Sequence, residues 1–272
     1  MSIKRPMVRY FGGKWRLAPW IIEQLPAHRV YVEPYGGGGS VLLRKSRSYA
    51  EVYNDIDGDI VNLFTVARDH GHALKEKLEL TPYARAEFDL TYEHPADCPI
   101  ERARRTVARC FMGFGANAHA QRTGFRGNSN RSGTTPAHDW RNYPAEFVNL
   151  IERLRGVVIE NLPAHRVMEM YDAPDACHYV DPPYVHCTRS ASHRDAYRYE
   201  MSDADHEELC RALKSLQGAV VLSGYDNDIY ADCLPGWTKL TREAMADGAR
   251  ARVECLWLSR QRGLFGDMEA TA

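Results

Sequence analysis

The stretch Asp181-Pro182-Pro183-Tyr184 constrains the chain more than any other. It follows Cys177-His178-Tyr179-Val180, an apolar run with the length of a short buried strand. Proline has no backbone N–H for a sheet ladder, so a prolyl pair ends the strand. A carboxylate, a rigid turn and an aromatic ring are therefore expected at the C-terminal lip of a strand, where open α/β sheets bind ligands. The chemistry suits a planar amine. Asp181 and the Pro182 carbonyl can each accept a hydrogen bond from an exocyclic NH2, and Tyr184 offers a flat face to the ring that carries it. The plainer alternative is an Asp-Pro that merely ends a strand above a packed tyrosine.

What lies upstream weighs against that alternative. Arg9-Tyr10-Phe11-Gly12-Gly13-Lys14 precedes a helix-like run from Trp15 to Gln24, and its two glycines permit close backbone approach to a ligand. Val30-Tyr31-Val32-Glu33-Pro34-Tyr35, Gly36 to Gly39, Ser40 and Val41 then read as strand, glycine loop and helix start. The third glycine of a dinucleotide fingerprint is missing, and so is the Gly-Lys-Ser/Thr of a phosphate-cradling loop. A second strand, Glu51-Val52-Tyr53, ends in Asn54-Asp55-Ile56-Asp57. An acid there, some 20 residues after the glycines, sits where nucleotide-binding folds hold a ribose diol. Asp55 is the candidate, and Asp57 reads as the N-cap of a helix over Ile60 to Arg68.

The middle reads as helical over Ala73–Leu80, Pro82–Tyr92 and Ile100–Met112, with Pro82 and Pro99 in first turns. Residues 113–138 then turn to Gly, Asn, Ser, Thr and Arg with the isolated rings Phe114 and Phe125. A net charge of −1 gives no hint of a polyanionic partner, but its distribution does. Seven arginines (102, 104, 105, 109, 122, 126 and 131) fall between Arg102 and Arg131 with no acid among them. That reads as a footprint for phosphates, with phenylalanines to wedge or stack against bases. A solvated loop is the alternative.

Beyond it, Pro144–Arg155 reads as a helix, Val157–Glu160 as a strand and Pro163–Tyr171 as a short helix. A polar flap over 185–200 carries Tyr197 and Tyr199. Ser202 caps a helix to Ser215. Ala219–Ser223 is a buried strand, Trp237–Glu243 and Val253–Ser259 an antiparallel pair at the sheet edge, and Arg260 to Ala272 a loose tail. His186, His193 and His206 lack a ligand spacing typical of a metal site, and solvated or capping histidines fit them better.

A chain of 272 residues with 44 % hydrophobic and 26 % charged residues suits one large domain, or a domain with an insert. Seven scattered cysteines without a Cys-x-x-Cys pair fit reduced thiols. With no signal core and no membrane-length apolar run, a cytoplasmic protein is expected.

From about Tyr10 to Ser259 the chain resembles the amino-group DNA methyltransferases, whose catalytic motif reads Asp/Asn/Ser-Pro-Pro-Tyr/Phe/Trp. The Asp form and the motif order are similar to the Dam-type adenine methylases. The resemblance implies a Rossmann-like α/β methyltransferase sheet (1–69 and 150–272) with one reversed strand at its edge. It also implies an inserted, mainly helical target-recognition segment over 70–149, S-adenosylmethionine as cofactor, double-stranded DNA as partner and no metal. By the same resemblance Tyr10, Lys14, Glu33, Gly36, Gly38, Asp55, Asp181 and Tyr197 contact the cofactor. Asp181, Pro182, Pro183 and Tyr184 form the catalytic motif. Arg122-Thr123-Gly124-Phe125-Arg126-Gly127-Asn128 is similar to the family's DNA-reading hairpin, although the Phe111-to-Gly115 lead-in departs from it. Arg109 and Arg131 join Arg122, Phe125, Arg126 and Asn128 as DNA-binding candidates.

The implied reaction moves the sulfonium methyl in line to the N6 of a flipped-out adenine. A cytosine-N4 enzyme would use the same amine chemistry, and an RNA or protein amide methyltransferase is a third reading. A dehydrogenase fits poorly with the missing glycine and with Pro-Pro-Tyr. A DNA-binding module without catalysis fits poorly with an intact Asp181 and Lys14.

Overall fold

The computed structural model describes residues 3–93, 96–116, 118–127, 134–189, 197–245 and 251–259. Apolar runs of four to eight residues, divided by glycine and proline turns, become the strands β1 (Val30–Glu33), β2 (Ala50–Asn54), β3 (Val157–Glu160), β4 (Ala176–Val180), β5 (Ala219–Tyr225), β6 (Thr238–Met245) and β7 (Ala251–Leu258). Among the described residues they form one sheet in the order β3-β2-β1-β4-β5-β7-β6. β1 pairs in parallel with β2 and β4, β2 with β3, and β4 with β5. β7 runs antiparallel between β5 and β6. The reversed strand is thus one place in from the edge rather than outermost, because β6 pairs with it on its outer side.

The strand order reverses between β1 and β4. Loops leaving the C-terminal ends of two such strands diverge to opposite faces and leave a crevice, the usual ligand site of open α/β sheets. Glu33 ends β1 and Asp181 follows β4, so two carboxylates stand at this lip.

Both faces are covered, as near-continuous apolar strands require. Tyr31, Tyr53, Cys177, Tyr179, Val221 and Leu256 face one layer, packed with residues of α1 (Ala18–Glu23), α2 (Ser40–Arg44), α3 (Gly58–Asp69), α4 (Gly71–Leu80), α5 (Arg85–Leu90), α6 (Pro99–Met112) and α7 (Pro136–Leu154). Val180, Val220, Leu222, Cys255 and Trp257 face the other, against α8 (Ala164–Met170), α9 (Asp203–Ser215) and α10 (Asp228–Cys233). The alternation follows from the two-residue period of a strand. The segment expected as an insert does not make a core of its own. Phe88, Val107, Trp140 and Phe147 belong to the same buried cluster as Tyr31 and Tyr53.

Three local expectations change. α7 begins at Pro136, eight residues before the expected start, and runs through Pro144. Trp140, Tyr143, Phe147, Leu150, Ile151 and Leu154 continue one apolar stripe across the proline, and their burial outweighs the hydrogen bond that Pro144 cannot donate. Trp140 Nε1 also donates to the Thr81 carbonyl at 2.8 Å, and the Tyr143 hydroxyl donates to the Met7 carbonyl. Pro82 lies ahead of its helix, because α5 starts only at Arg85 after an extended Ala84. α10 was not foreseen; Asn227 caps it by accepting from the Tyr230 amide at 2.8 Å. No helix among the described residues is long and apolar enough to cross a membrane.

One buried ion network ties the helical layer to the sheet. Glu51 on β2 is 3 % exposed and meets Lys45 at 2.7 Å and Arg153 of α7 at 2.6 Å. Removing one member of such a network strands the others in low dielectric. Glu51→Ala should cost about 3–5 kcal/mol of unfolding free energy, read by urea titration. A loss below about 1 kcal/mol would show that Lys45 and Arg153 find water instead.

Candidate active site

The glycine loop between β1 and α2 is shaped by aromatic rings from beneath. A Cβ at Gly36 would lie 2.1 Å from the Tyr53 ring, and one at Gly37 would lie 2.8 Å from the Tyr10 ring. Gly37 and Gly39 also take φ of 47° and 63°, a region costly for other residues. The loop amides turn inward, and Gly37 N donates to Asp55 Oδ2 at 2.7 Å. Asp55 Oδ1 accepts from the Asp57 amide at 2.8 Å. Burial pushes the Asp55 carboxyl up to about 6 in spite of those two amides. Glu33 is 2 % exposed and accepts from the Tyr31 hydroxyl at 2.8 Å and the Leu42 amide at 2.9 Å. Its burial raises its pKa to about 8.

Across the crevice, Asp181 meets Lys14 Nζ at 2.9 Å through Oδ1 and 3.0 Å through Oδ2. Lys14 also donates to the Gly12 carbonyl at 2.7 Å and is 4 % exposed. Burial opposes the Lys14 charge, but Asp181 outweighs it and raises the ammonium pKa. Burial likewise raises the Asp181 carboxyl, and Lys14 offsets that in part. The ammonium lies 4.6 Å from the centre of the Tyr184 ring. That ring is 6 % exposed, edge-on to Tyr225, and its hydroxyl is tied to Ser223 Oγ at 3.1 Å and Glu254 Oε2 at 2.8 Å. Tyr184 is therefore a fixed wall of the site.

Two cavities meet here. The first, of about 760 Å³, brings together Tyr10, Lys14, Glu33, Gly36, Gly38, Asp55, Asp181, Pro183 and Tyr197. The second, of about 660 Å³, lies on the other side of the Tyr10-to-Lys14 segment, lined by Tyr184, Tyr225, Arg252 and Glu254 among others. Phe11, Lys14 and Tyr197 line both. Tyr197 packs edge-on to Phe11 at 5.1 Å, and its hydroxyl fills the space where a Cβ at Gly12 would sit. All the expected cofactor contacts thus converge on one cleft.

Among the described residues, the arginines of the 102–131 stretch do not form one free patch. Arg102 pairs with Asp59, Arg104 with Glu87 and Glu101, Arg105 with Glu101, and Arg122 with Asp89. The acids absent from the local stretch arrive from neighbouring turns and helices. Arg109 donates to the Thr91 carbonyl at 2.7 Å and lies over Tyr92. Phe125 bridges to Gly113 and packs between Tyr83 and Phe88 beneath Arg85. Arg126 is half-buried, its amide bonded to the Met112 carbonyl at 2.6 Å. Phe114 is 70 % exposed. Asn128 and Arg131 lie outside the described residues, as does His193.

Sequence reasoning missed Glu254, Ser223 and His119. Glu254 had a signal, a lone acid inside the apolar run Val253 to Leu258. His119, 5 % exposed, bonds through Nε2 to Asp57 Oδ2 at 2.8 Å. Asp57 also caps α3 by accepting from the Asp59 amide, as expected. Asp57, Asp59 and His119 could together face a cation, but Arg198 reaches Asp57 and Asp59, and Arg102 reaches Asp59. The cluster is an ion-pair network. His206 is buried against the Tyr230 hydroxyl with its pKa lowered by burial to about 4, and His186 faces Glu200 at 3.5 Å.

Residues 10–254 match the family described as D12 class N6 adenine-specific DNA methyltransferase. A type II methyltransferase of Methanocaldococcus jannaschii is 25 % identical over 268 residues, covering 87 % of this chain and 90 % of that protein. DNA adenine methylases of Serratia marcescens and Haemophilus influenzae are each 23 % identical, covering 85 % and 88 % of this chain and 87 % and 82 % of their own.

The buried His119–Asp57 pair predicts a pH dependence. Burial alone would lower the His119 pKa; Asp57 outweighs it and pushes it up to about 9. A group raised on folding stabilises fully below its unfolded value near 6.5 and loses that contribution as pH climbs through about 9. Asp57, lowered to about 2 with burial opposing and His119 prevailing, loses its contribution only as pH falls through that value. Urea unfolding of the wild type against His119→Gln should show a gap that is widest near pH 6 and closes by about pH 10. A gap independent of pH would remove the charged pair from the account.

Proposed function

This chain belongs to the D12 class of N6 adenine-specific DNA methyltransferases, and we propose that methyl transfer takes place at the Lys14–Asp181 pair, where the two cavities meet. It is an adenine-specific DNA methyltransferase, so adenine replaces the cytosine alternative. Membership of a methyltransferase family implies S-adenosylmethionine as methyl donor in general. The finer reading places that donor in the first cavity and the target adenine at the second.

The donor set supports the fit. The first cavity has a size usual for cofactor sites and presents the carboxyl groups of Asp55 and Asp181, with Glu33, raised to about 8, as a neutral hydrogen-bonding acid. S-adenosylmethionine supplies an electrophilic methyl on a sulfonium, and its cationic sulfur and ammonium suit an acid-lined cleft. Asp55, at the end of β2, suits a ribose diol. The Gly36–Gly38 backbone, pressed from below by Tyr53 and Tyr10, leaves no side chain in the way. Tyr10 and Tyr197 flank the cleft with aromatic surface.

The adenine amine is a poor nucleophile because its lone pair is delocalised into the ring. Asp181 and the Pro182 carbonyl accept its two N–H groups, favour a tetrahedral nitrogen and aim the lone pair into the first cavity. Lys14 holds the Asp181 carboxyl in place and opposes the rise that burial imposes on it; such preorganised groups stabilise charge developing on the amine. Asp181 need not be a strong base, since the methylated amine becomes acidic afterwards. Pro183 stiffens the turn. Tyr184, clamped by Ser223 and Glu254, walls the base site beside Phe11, Tyr197 and Tyr225. The base reaches that site by leaving the duplex stack, at a cost of a few kcal/mol.

We assign DNA contact over 70–149 to Arg122 and Arg126, with Asn128 and Arg131 beyond them. Arg109 and Phe125 then position that segment through Tyr92, Tyr83 and Phe88.

The observation that carries this reading is the convergence of both cavities on Lys14 beside Asp181. Asp181→Ala should lower methyl transfer to an unmethylated duplex by at least about 100-fold. Calorimetric binding of S-adenosylmethionine should remain detectable. Wild-type transfer by that variant would refute the assignment.

A further inference from the structure

The second cavity carries a feature the reading above does not use. Its rim includes Arg16, Arg242 and Arg252. Among the described residues none of the three forms an ion pair with an acid. That sets them apart from Arg102, Arg104, Arg105 and Arg122, whose charges are met within the protein. Two are held by rings instead. The Arg242 guanidinium lies 5.8 Å from the Trp20 ring centre and that of Arg252 lies 5.1 Å from the Tyr225 ring centre. Stacking of this kind orders a guanidinium and takes up few of its five N–H donors; Arg252 also donates to the Tyr225 hydroxyl.

Strand register explains their common aspect. Arg242 stands opposite Glu254, Ala244 opposite Arg252, and Tyr225 opposite Glu254. Side chains at opposed and alternate positions share a face, so Arg242, Arg252, Glu254 and Tyr225 project to one side of the sheet. Glu254 is turned inward onto the Tyr184 hydroxyl, and the rim's other acid, Glu243, is exposed. The arginines are therefore poised at the mouth of the cavity whose inner wall is Tyr184.

We propose that Arg16, Arg242 and Arg252 bind phosphodiester groups of duplex DNA flanking the extruded nucleotide, making the β6–β7 pair and the turn before α1 a second DNA-contacting surface. This rests on the placement of the target adenine at the second cavity. Guanidinium groups hold phosphates through paired N–H bonds, and contacts to the strand around an extruded base fix its register without reading sequence. The surface adds affinity and positioning rather than specificity.

The test is DNA binding by fluorescence anisotropy across a salt series, with single-turnover methylation at saturating DNA. Each lost phosphate contact lowers the slope of log affinity against log salt by about 0.9, so Arg242→Ala/Arg252→Ala should flatten it by about 2 and adding Arg16→Ala by about 3. Affinity should fall at least about tenfold at low salt. Arg242→Lys/Arg252→Lys should restore most of the slope, since lysine also holds phosphate as a point charge. An unchanged slope in the alanine variants, or equal loss in the lysine and alanine variants, would overturn the proposal. Asp181→Ala separates the two claims: it should keep the full salt slope while losing transfer, so a failure of the arginine surface cannot be mistaken for a failure of the catalytic assignment.

Discussion

The contact on which the site depends is the ion pair between Lys14 and Asp181, residues 167 positions apart. It ties the N-terminal segment to the C-terminal lip of β4, and its lysine lines both cavities. Neither charge is easily kept at such burial alone. Asp181 holds Lys14 protonated, while Lys14 limits the rise that burial imposes on Asp181. The same ammonium sits on the Tyr184 ring, whose hydroxyl reaches Glu254 on β7. One cation thus connects the glycine segment, the Asp181–Tyr184 turn and the antiparallel hairpin.

Charge in this protein is spent mostly on architecture. The arginine-rich stretch after Arg102 reads as a free cationic patch only while its acids are out of sight. Folding brings Asp59, Glu87 and Asp89 to it from neighbouring turns and helices. Lys45, Glu51 and Arg153 repeat the pattern between sheet and helices. Against that background, Arg242 and Arg252 lie on rings and, among the described residues, pair with no acid.

Much of the fold was legible because its signals are local. The strand before Asp181, the glycine loop after Glu33, the Ser202 capping box and the Asp57 cap each announce themselves within about six residues. Strand ends likewise fix where Asp55 and Asp181 stand. Partnerships across long separations were not legible. His119 finds Asp57 from 62 positions away and Tyr184 finds Glu254 from 70. The start of α7 was hidden by Pro144, a local breaker overruled by the burial of Trp140, Tyr143 and Phe147. The insert's lack of a separate core was hidden likewise, because helical periodicity shows that a face is apolar and not what covers it.

The most direct test of this account is chemical. Purified protein is incubated with unmethylated genomic DNA and labelled S-adenosylmethionine, and the DNA is digested to nucleosides for mass spectrometry. The account predicts labelled N6-methyladenine, confined by single-molecule sequencing to one short motif. Label on cytosine N4, or no labelled base while the cofactor is bound, would contradict it.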